Sequence, residues 1–345
     1  MNKACPLPLR QYPRVVMGHG GGGRLMKRLI EDLFMAAFGT SAKEAHDAAV
    51  LPGTDGDRLA MTTDSYVIHP LFFPGGNIGT LAVYGTVNDL AMVGARPLWL
   101  SAGFILEEGL EIVTLWDIAV SMKEAADRAG VKIVTGDTKV VEKSKGDGIF
   151  INTAGVGIVP EGREVHPRAI QPSDVIVLSG DLGRHGMTVM AKREQLAFDQ
   201  ELKSDCAPLA AMTERLFREG IPVHCLRDLT RGGLACALNE LAEASGRQIQ
   251  VREASVPVSS SVRSACELLG LDPFYVANEG RCVVFVPADE ADRTVRVLRA
   301  TGEGRGACVI GSVEDRTPSV VVLKTALGSS RLLDMPEIEQ LPRIC

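Results

Sequence analysis

Residues 79–106 read GTLAVYGTVNDLAMVGARPLWLSAGFIL. Over 79–95 small and apolar residues occur on every side of a helical wheel, with Asn88 and Asp89 standing out. A helix that is apolar all round is a buried one. The stretch 97–106 then reads as a strand, giving a buried helix feeding a sheet. Upstream, LAMTTDSYVI (59–68) reads as a strand carrying an acid, Asp64. Downstream come an amphipathic helix over 114–129 and two strands, VKIVTGDTKVV (131–141) and GIFINTAGVGIV (148–159). The run PEGREVHPRAIQPSD (160–174) is rich in proline and charge and marks a domain boundary near 160–172. Beyond it the strand DVIVLSG (174–180) starts a second mixed unit. Helices are expected near 206–219, 231–245, 261–269 and 288–301, and strands at 281–286 and 307–313. Strands and helices alternate in both halves, so the fold class is α/β and α+β in two domains.

With 345 residues the chain can hold two cores. A net charge of -6 and the lack of a basic run argue against a nucleic-acid surface. No apolar stretch reaches the ~18 residues of a membrane span, and MNKACPLPLRQYPR lacks a secretory core. The eight cysteines form no CxxC and no zinc spacing; most sit in apolar segments, as expected of buried thiols in a reducing cytoplasm, and only Cys5 and Cys345 lie in segments that look exposed. The domains expected are an irregular arm (1–14), an N-terminal domain (15–165), a C-terminal domain (170–325) and a mobile tail (326–345). The tail contains Pro336 and Pro342 and stops on Cys345. Extended, it would reach up to about 65 Å.

VVMGHGGGG (15–23) precedes the amphipathic stretch RLMKRLIEDLFMAAF, whose Leu25, Leu29, Ile30, Leu33, Phe34 and Ala37 share a face. Glycines open the backbone to an anion, and a helix N-terminus favours one. The pattern lacks both the strand and acid of a dinucleotide fingerprint and the G-K-[ST] of a phosphate loop. A plain glycine turn is the bland alternative. Asp64, Asp89 and Asp137 each sit beside apolar runs, where an isolated carboxylate is costly to bury. Hard oxygen ligands gathered in a cleft suit Mg²⁺ held with nucleotide phosphates. Taken singly, each aspartate could equally be a cap or turn residue. Lys139 could contact phosphate or act as an acid or base once buried. Glu279 is unremarkable by itself, and Asp228 or Thr230 could simply cap the helix after RDLTRGG (227–233).

NDLAMVGARP, GDTKVV, LSGDLGRHGM, LRDLTRGGLACALNELAEASG and ANEGR together resemble the ATP-binding superfamily of aminoimidazole ribonucleotide (AIR) synthetase, selenophosphate synthetase and thiamine-monophosphate kinase. Within it, TTDSYVIHPLFFPGGNIG, SAGFILEEGL, TGDTKVV, FINTAG and the terminal PRIC resemble the hydrogenase maturation HypE family, in register over 15–345. PRIC is the most specific element, since the sister families lack it.

The resemblance implies a two-domain AIR-synthetase-like (PurM-like) fold that dimerises through its N-terminal strands, with ATP near the dimer interface. It implies that Cys345 receives a carbamoyl group from HypF. An ATP-dependent dehydration would convert this to a thiocyanate, and the cyano group would pass to iron on HypC–HypD for [NiFe]-hydrogenase. By position, Gly20, Gly21, Gly22, Gly23, Asp64, Asn88, Asp89, Asp137 and Thr138 would bind the nucleotide. Asp64, Asp89 and Asp137 would hold Mg²⁺, with Asp47 a further ligand. Glu279 would accept the proton and Lys139 polarise the carboxamide or phosphate, in roles that could be exchanged. Arg343 would favour the thiolate. Relatives often carry paired aspartates where this chain has His46-Asp47, and Gly21 stands where Ser is common. Competing readings are another small-molecule kinase or synthetase, a non-catalytic thiol carrier and, weakest, a Rossmann oxidoreductase.

Overall fold

The computed structural model describes residues 15–20, 23–35, 46–53, 56–196, 202–337, 341 and 343–345. Its first sheet contains β1 (Ala49–Pro52), β2 (Arg58–Tyr66), β5 (Arg96–Glu107), β6 (Lys132–Val141) and β7 (Ile149–Val159), in the order β1-β2-β7-β5-β6. The two-residue strands β3 (Phe72–Phe73) and β4 (Gly76–Asn77) form a small hairpin before the buried helix. Within this sheet only β5 and β6 run parallel, joined by the crossover helix that the sequence places between them.

Helix α1 (Arg24–Arg28) continues as a π-helical turn over Leu29–Met35, where the apolar period predicts plain α-helix. Helix α2 (Ile78–Met92) is the one foreseen at 79–95. Asn77 caps it, accepting from Gly79 N at 2.8 Å and Thr80 N at 3.1 Å, while Thr80 Oγ1 accepts from Asn77 N at 2.9 Å. That reciprocal box satisfies N–H groups no helix can satisfy internally. Every residue of α2 is buried except Thr80 and Asp89. Helix α3 (Ile112–Ala129) ends on Gly130, in the left-handed conformation glycine adopts without strain.

The second sheet has seven strands in the order β14-β13-β10-β12-β8-β11-β9. They are β8 (Val175–Leu178), β9 (Cys225–Asp228), β10 (Gln248–Arg252), β11 (Cys282–Val286), β12 (Cys308–Glu314), β13 (Val321–Lys324) and β14 (Ser330–Leu332). Helices α4 (Arg184–Arg193), α5 (Ala210–Arg218), α6 (Gly233–Ser245), α7 (Ser260–Leu269) and α8 (Ala291–Arg299) accompany it. Five strands of three to five residues, β1, β9, β10, β13 and β14, are not among those read from the sequence. The helix expected from 206 begins at Ala210: Pro208 disfavours helical backbone in the residue before it. Residues 204–209 instead run buried and irregular between the two halves.

The tail requires correction. Residues 330–332 pair with β13, and Leu333 and Met335 are buried. Pro336 O and Glu337 O accept from Arg24 N and Leu25 N. Leu341 and Ile344 are buried in the largest core cluster, which joins residues of α2 and β7 to Met187, Val262 and Val276 of the second half. The two halves therefore share a core. Arg163, in the boundary segment, staples them further with a bidentate pair to Glu214 at 2.8 and 3.0 Å.

Candidate functional site

A cavity of about 280 Å³ opens at the seam between the two sheets. Asp64 near the end of β2, Asp89 on α2, Asp228 at the end of β9, Glu279 ahead of β11 and Cys345 all line it, with Asp47, Thr62, Arg227 and Arg231. The exception in an otherwise enclosed helix thus has its reason: Asp89 is the side chain α2 turns to the cavity. Thr62 Oγ1 lies 2.8 Å from Asp89 Oδ2 and 3.1 Å from Asp47 O.

Carboxylate oxygens of Asp47, Asp89 and Asp228 lie within 4.8 Å of one another. Arg227 offsets part of that charge, with Nη1 2.9 Å from Asp47 Oδ1 and Nη2 2.6 Å from Glu240 Oε2. Burial, then the charges of Asp228, Asp47 and Asp64, hold the Asp89 carboxyl well above its ordinary range. Burial and Asp47 push Asp228 up to about 8, against the pull of Arg227. Asp47 Oδ2 and Asp228 Oδ2 are buried without hydrogen-bond partners. Orphaned hard oxygens among mutually repelling carboxylates fit a divalent cation such as Mg²⁺.

Glu279 is 3% exposed, and its Oε1 has no partner. Burial, then Asp228, Asp64 and Asp205, raise its carboxyl well above normal, opposed by Arg231. Its backbone is pinned: Glu279 N and Gly280 N donate to Asp205 Oδ2 at 3.1 and 2.9 Å. A Cβ on Gly280 would lie 2.0 Å from Asp205 O, so only glycine permits this approach. A fixed carboxyl with a raised pKa, facing a cavity, is what a proton-transfer residue needs.

Other sequence-predicted residues lie elsewhere. Asn88 is a buried brace: its Nδ2 donates to Ala207 O at 3.1 Å and its Oδ1 accepts from Leu209 N at 2.7 Å, away from the cavity. Asp137, Thr138 and Lys139 sit on β6, exposed throughout Lys132–Val140, and none lines the cavity. Lys139 Nζ lies 2.6 Å from Asp137 Oδ2, and that hydrogen bond first of all holds the Asp137 carboxyl low. Of the Mg²⁺ ligands expected from sequence, Asp89 and Asp47 meet in this cluster and Asp228 joins them, whereas Asp64 lines the cavity outside the triad and Asp137 lies on β6. Gly21 and Gly22 lie outside the described residues. Gly23 borders a neighbouring cavity of about 520 Å³ with Lys27, Glu31 and Arg227. The N–H groups of Arg24 and Leu25, expected to face an anion, already donate to Pro336 O and Glu337 O.

Asp228 caps nothing, since α6 starts from Gly232 in the left-handed conformation. Its signal in the sequence was an acid closing an apolar strand, the pattern that marked Asp64. Arg343 engages Asp147.

This architecture and this acid cluster define an AIR-synthase-related protein. The family model "AIR synthase related protein, N-terminal domain" matches residues 45–159 and its C-terminal counterpart matches 171–324. The carbamoyl dehydratase HypE of Rhodobacter capsulatus is 49% identical, over 96% of this chain and 98% of that protein. Among solved structures, a HypE–HypF complex superposes with a TM-score of 0.84 at 45% identity, covering 91% of this chain and 100% of the matched chain. A HypE in complex with ATP superposes with a TM-score of 0.81 at 47% identity, covering 96% and 100%. The chain belongs to the carbamoyl dehydratase HypE family. Among the described residues no helix is long and apolar enough to cross a membrane.

Proposed function

We propose that the protein is a cytoplasmic, ATP-dependent carbamoyl dehydratase of [NiFe]-hydrogenase maturation that works on its own Cys345. The observation that carries this reading is that Cys345 lines the same cavity as Asp64, Asp89, Asp228 and Glu279. A thiol placed against a carboxyl of raised pKa and a cation-binding cluster has the parts for dehydrating a thiol-bound carboxamide. The overall change is S–C(=O)NH₂ + ATP → S–C≡N + ADP + phosphate, with both N–H protons lost from nitrogen. ATP supplies the phosphoryl group that makes the carboxamide oxygen a leaving group, and Mg²⁺ neutralises its phosphate charge. Asp47, Asp89 and Asp228 would hold that ion, with Asp64 beside them. One N–H proton leaves to solvent as the carboxamide oxygen is phosphorylated, and Glu279 would accept the other from nitrogen as the carbon–oxygen bond breaks. Arg231, 3.8 Å from Asp64, keeps positive charge at the cavity wall.

HypF, seen in complex with a HypE of this fold, is the proposed carbamoyl donor, and HypC–HypD the acceptor of cyanide. The proposed homodimer rests on the first sheet. Its edge strand β6 exposes Val134 and Val140, and its uncovered residues include Leu59, Met61, Trp99 and Ile105. An apolar surface of that kind marks an interface, and a second copy seated there would cover the edge where Asp137, Thr138 and Lys139 wait.

Intact mass of the peptide bearing Cys345 tests the reading, after incubation with HypF, carbamoyl phosphate and Mg²⁺–ATP. An adduct on Cys345 that then loses one water is the expected result, absent in Cys345→Ala. An adduct that never loses water would leave a carrier and no dehydratase.

A further inference from the structure

The segment around Cys345 is gripped by its main chain. Arg343 O accepts from Arg193 Nη2 at 2.8 Å and from His69 N at 3.4 Å. Ile344 O lies 2.8 Å from His185 Nε2, and Cys345 O accepts from Val67 N at 2.9 Å. Three successive main-chain oxygens are therefore held, two through side chains of α4 and two through backbone that continues β2. Because a carbonyl only accepts, His185 carries its proton on Nε2, and Nδ1 accepts from Ser204 Oγ at 2.8 Å. His185 is fully buried. Its own N–H donates to Asp205 Oδ1 at 2.9 Å, and Asp205 is the carboxylate whose other oxygen holds Glu279 N and Gly280 N. One buried aspartate thus sets both the residue that grips the tail and the proposed base.

We infer that His185 and Arg193 are positioning residues for the reaction, a clamp that holds Cys345 in the cavity it shares with Glu279 by reading main-chain carbonyls. Neither side chain needs the sulfur, so the same grip serves the free thiol, the carboxamide and the thiocyanate. Side chains add depth and no further chemistry: Ile344 and Leu341 fill apolar space, and a Cβ on Gly186 would lie 3.3 Å from Leu341 Cδ1. The mechanistic role rests on Cys345 being the reacting thiol, whereas the grip itself does not.

The test uses the full-length protein and a maleimide–polyethylene glycol too large for a 280 Å³ cavity, with labelling of Cys345 followed by peptide mass. His185→Ala and Arg193→Met should each speed labelling about tenfold, the scale of one lost hydrogen bond. His185→Gln can place an amide N–H near the position of Nε2–H, and should stay within about twofold of wild type. The clamp variants should slow water loss from the carbamoylated peptide while leaving the KM for ATP unchanged. Wild-type labelling rates in both His185→Ala and Arg193→Met would overturn the clamp, as would His185→Gln behaving like His185→Ala. Should His185→Ala fail to fold, Arg193→Met decides alone, since Arg193 is only half-buried. A wild type that is protected from labelling but never forms thiocyanate would leave the clamp standing and remove the dehydratase.

Discussion

Two carboxylates that the sequence reading placed at one site, Asp137 as a cation ligand and Glu279 as the proton acceptor, met opposite fates. Asp137 ends up on an exposed edge strand, bonded to Lys139, with its pKa lowered by that bond. Glu279 ends up 3% exposed at the seam of two sheets, with its pKa raised chiefly by burial. The contrast teaches that local sequence supplies the acid, whereas the packing of distant elements decides its chemistry. A carboxylate two residues from a lysine in water is a salt bridge of little energetic weight. A carboxyl walled in by α2, β9 and the buried 204–209 segment has the raised pKa that the proposed proton acceptor needs.

The largest expected effect of breaking this contrast comes at the buried end. Glu279→Gln keeps the shape and removes the base, so dehydration should fall about a thousandfold while carbamoylated Cys345 accumulates, as read by peptide mass. Dehydration at the wild-type rate would strip Glu279 of its role. Next comes the cation cluster. Asp228→Asn should weaken Mg²⁺ binding by ten- to a hundredfold in calorimetric titration, since a charged ligand is lost. The same variant should change stability in the opposite sense when a chelator is present. Asp228 holds its proton up to about 8 when folded and to about 4 when unfolded. The Mg²⁺-free wild type therefore loses stability as pH rises through that window, and Asp228→Asn should lose less. Melting curves at pH 5 and 9 check the sign. The smallest effect belongs to the exposed end: Asp137→Asn should leave the melting temperature unchanged, and a clear drop would mean that the edge pair is structural.

Much of the fold was legible because long apolar periods are local. Helix α2, the strands β5, β6 and β7 and the change of character near 160–172 all announce themselves within a dozen residues. The short strands β9, β10, β13 and β14 do not, and they form much of the second sheet. At the site, Asp64, Asp89, Glu279 and Cys345 were picked out and do meet. Asp228 was set aside as a cap because its neighbours Thr230 and Gly232 read as a helix start. Asn88 was counted with Asp89, but successive helical residues point about 100° apart, so one faces the cavity and the other braces Ala207 and Leu209. The grip on Cys345 was invisible: it joins His185 and Arg193 to carbonyls roughly 150 residues away.

The seated tail also changes what concentration means for this molecule. With the thiol seated in its own cavity by the contacts to residues 343–345, encounter is intramolecular and needs no second molecule. Diluting the protein should leave the rate per molecule untouched. Product yield is capped at one group per chain until an acceptor empties it, so throughput belongs to the traffic of partners reaching a released tail. On the proposed function the protein would act as a cartridge, loaded and discharged once per cycle.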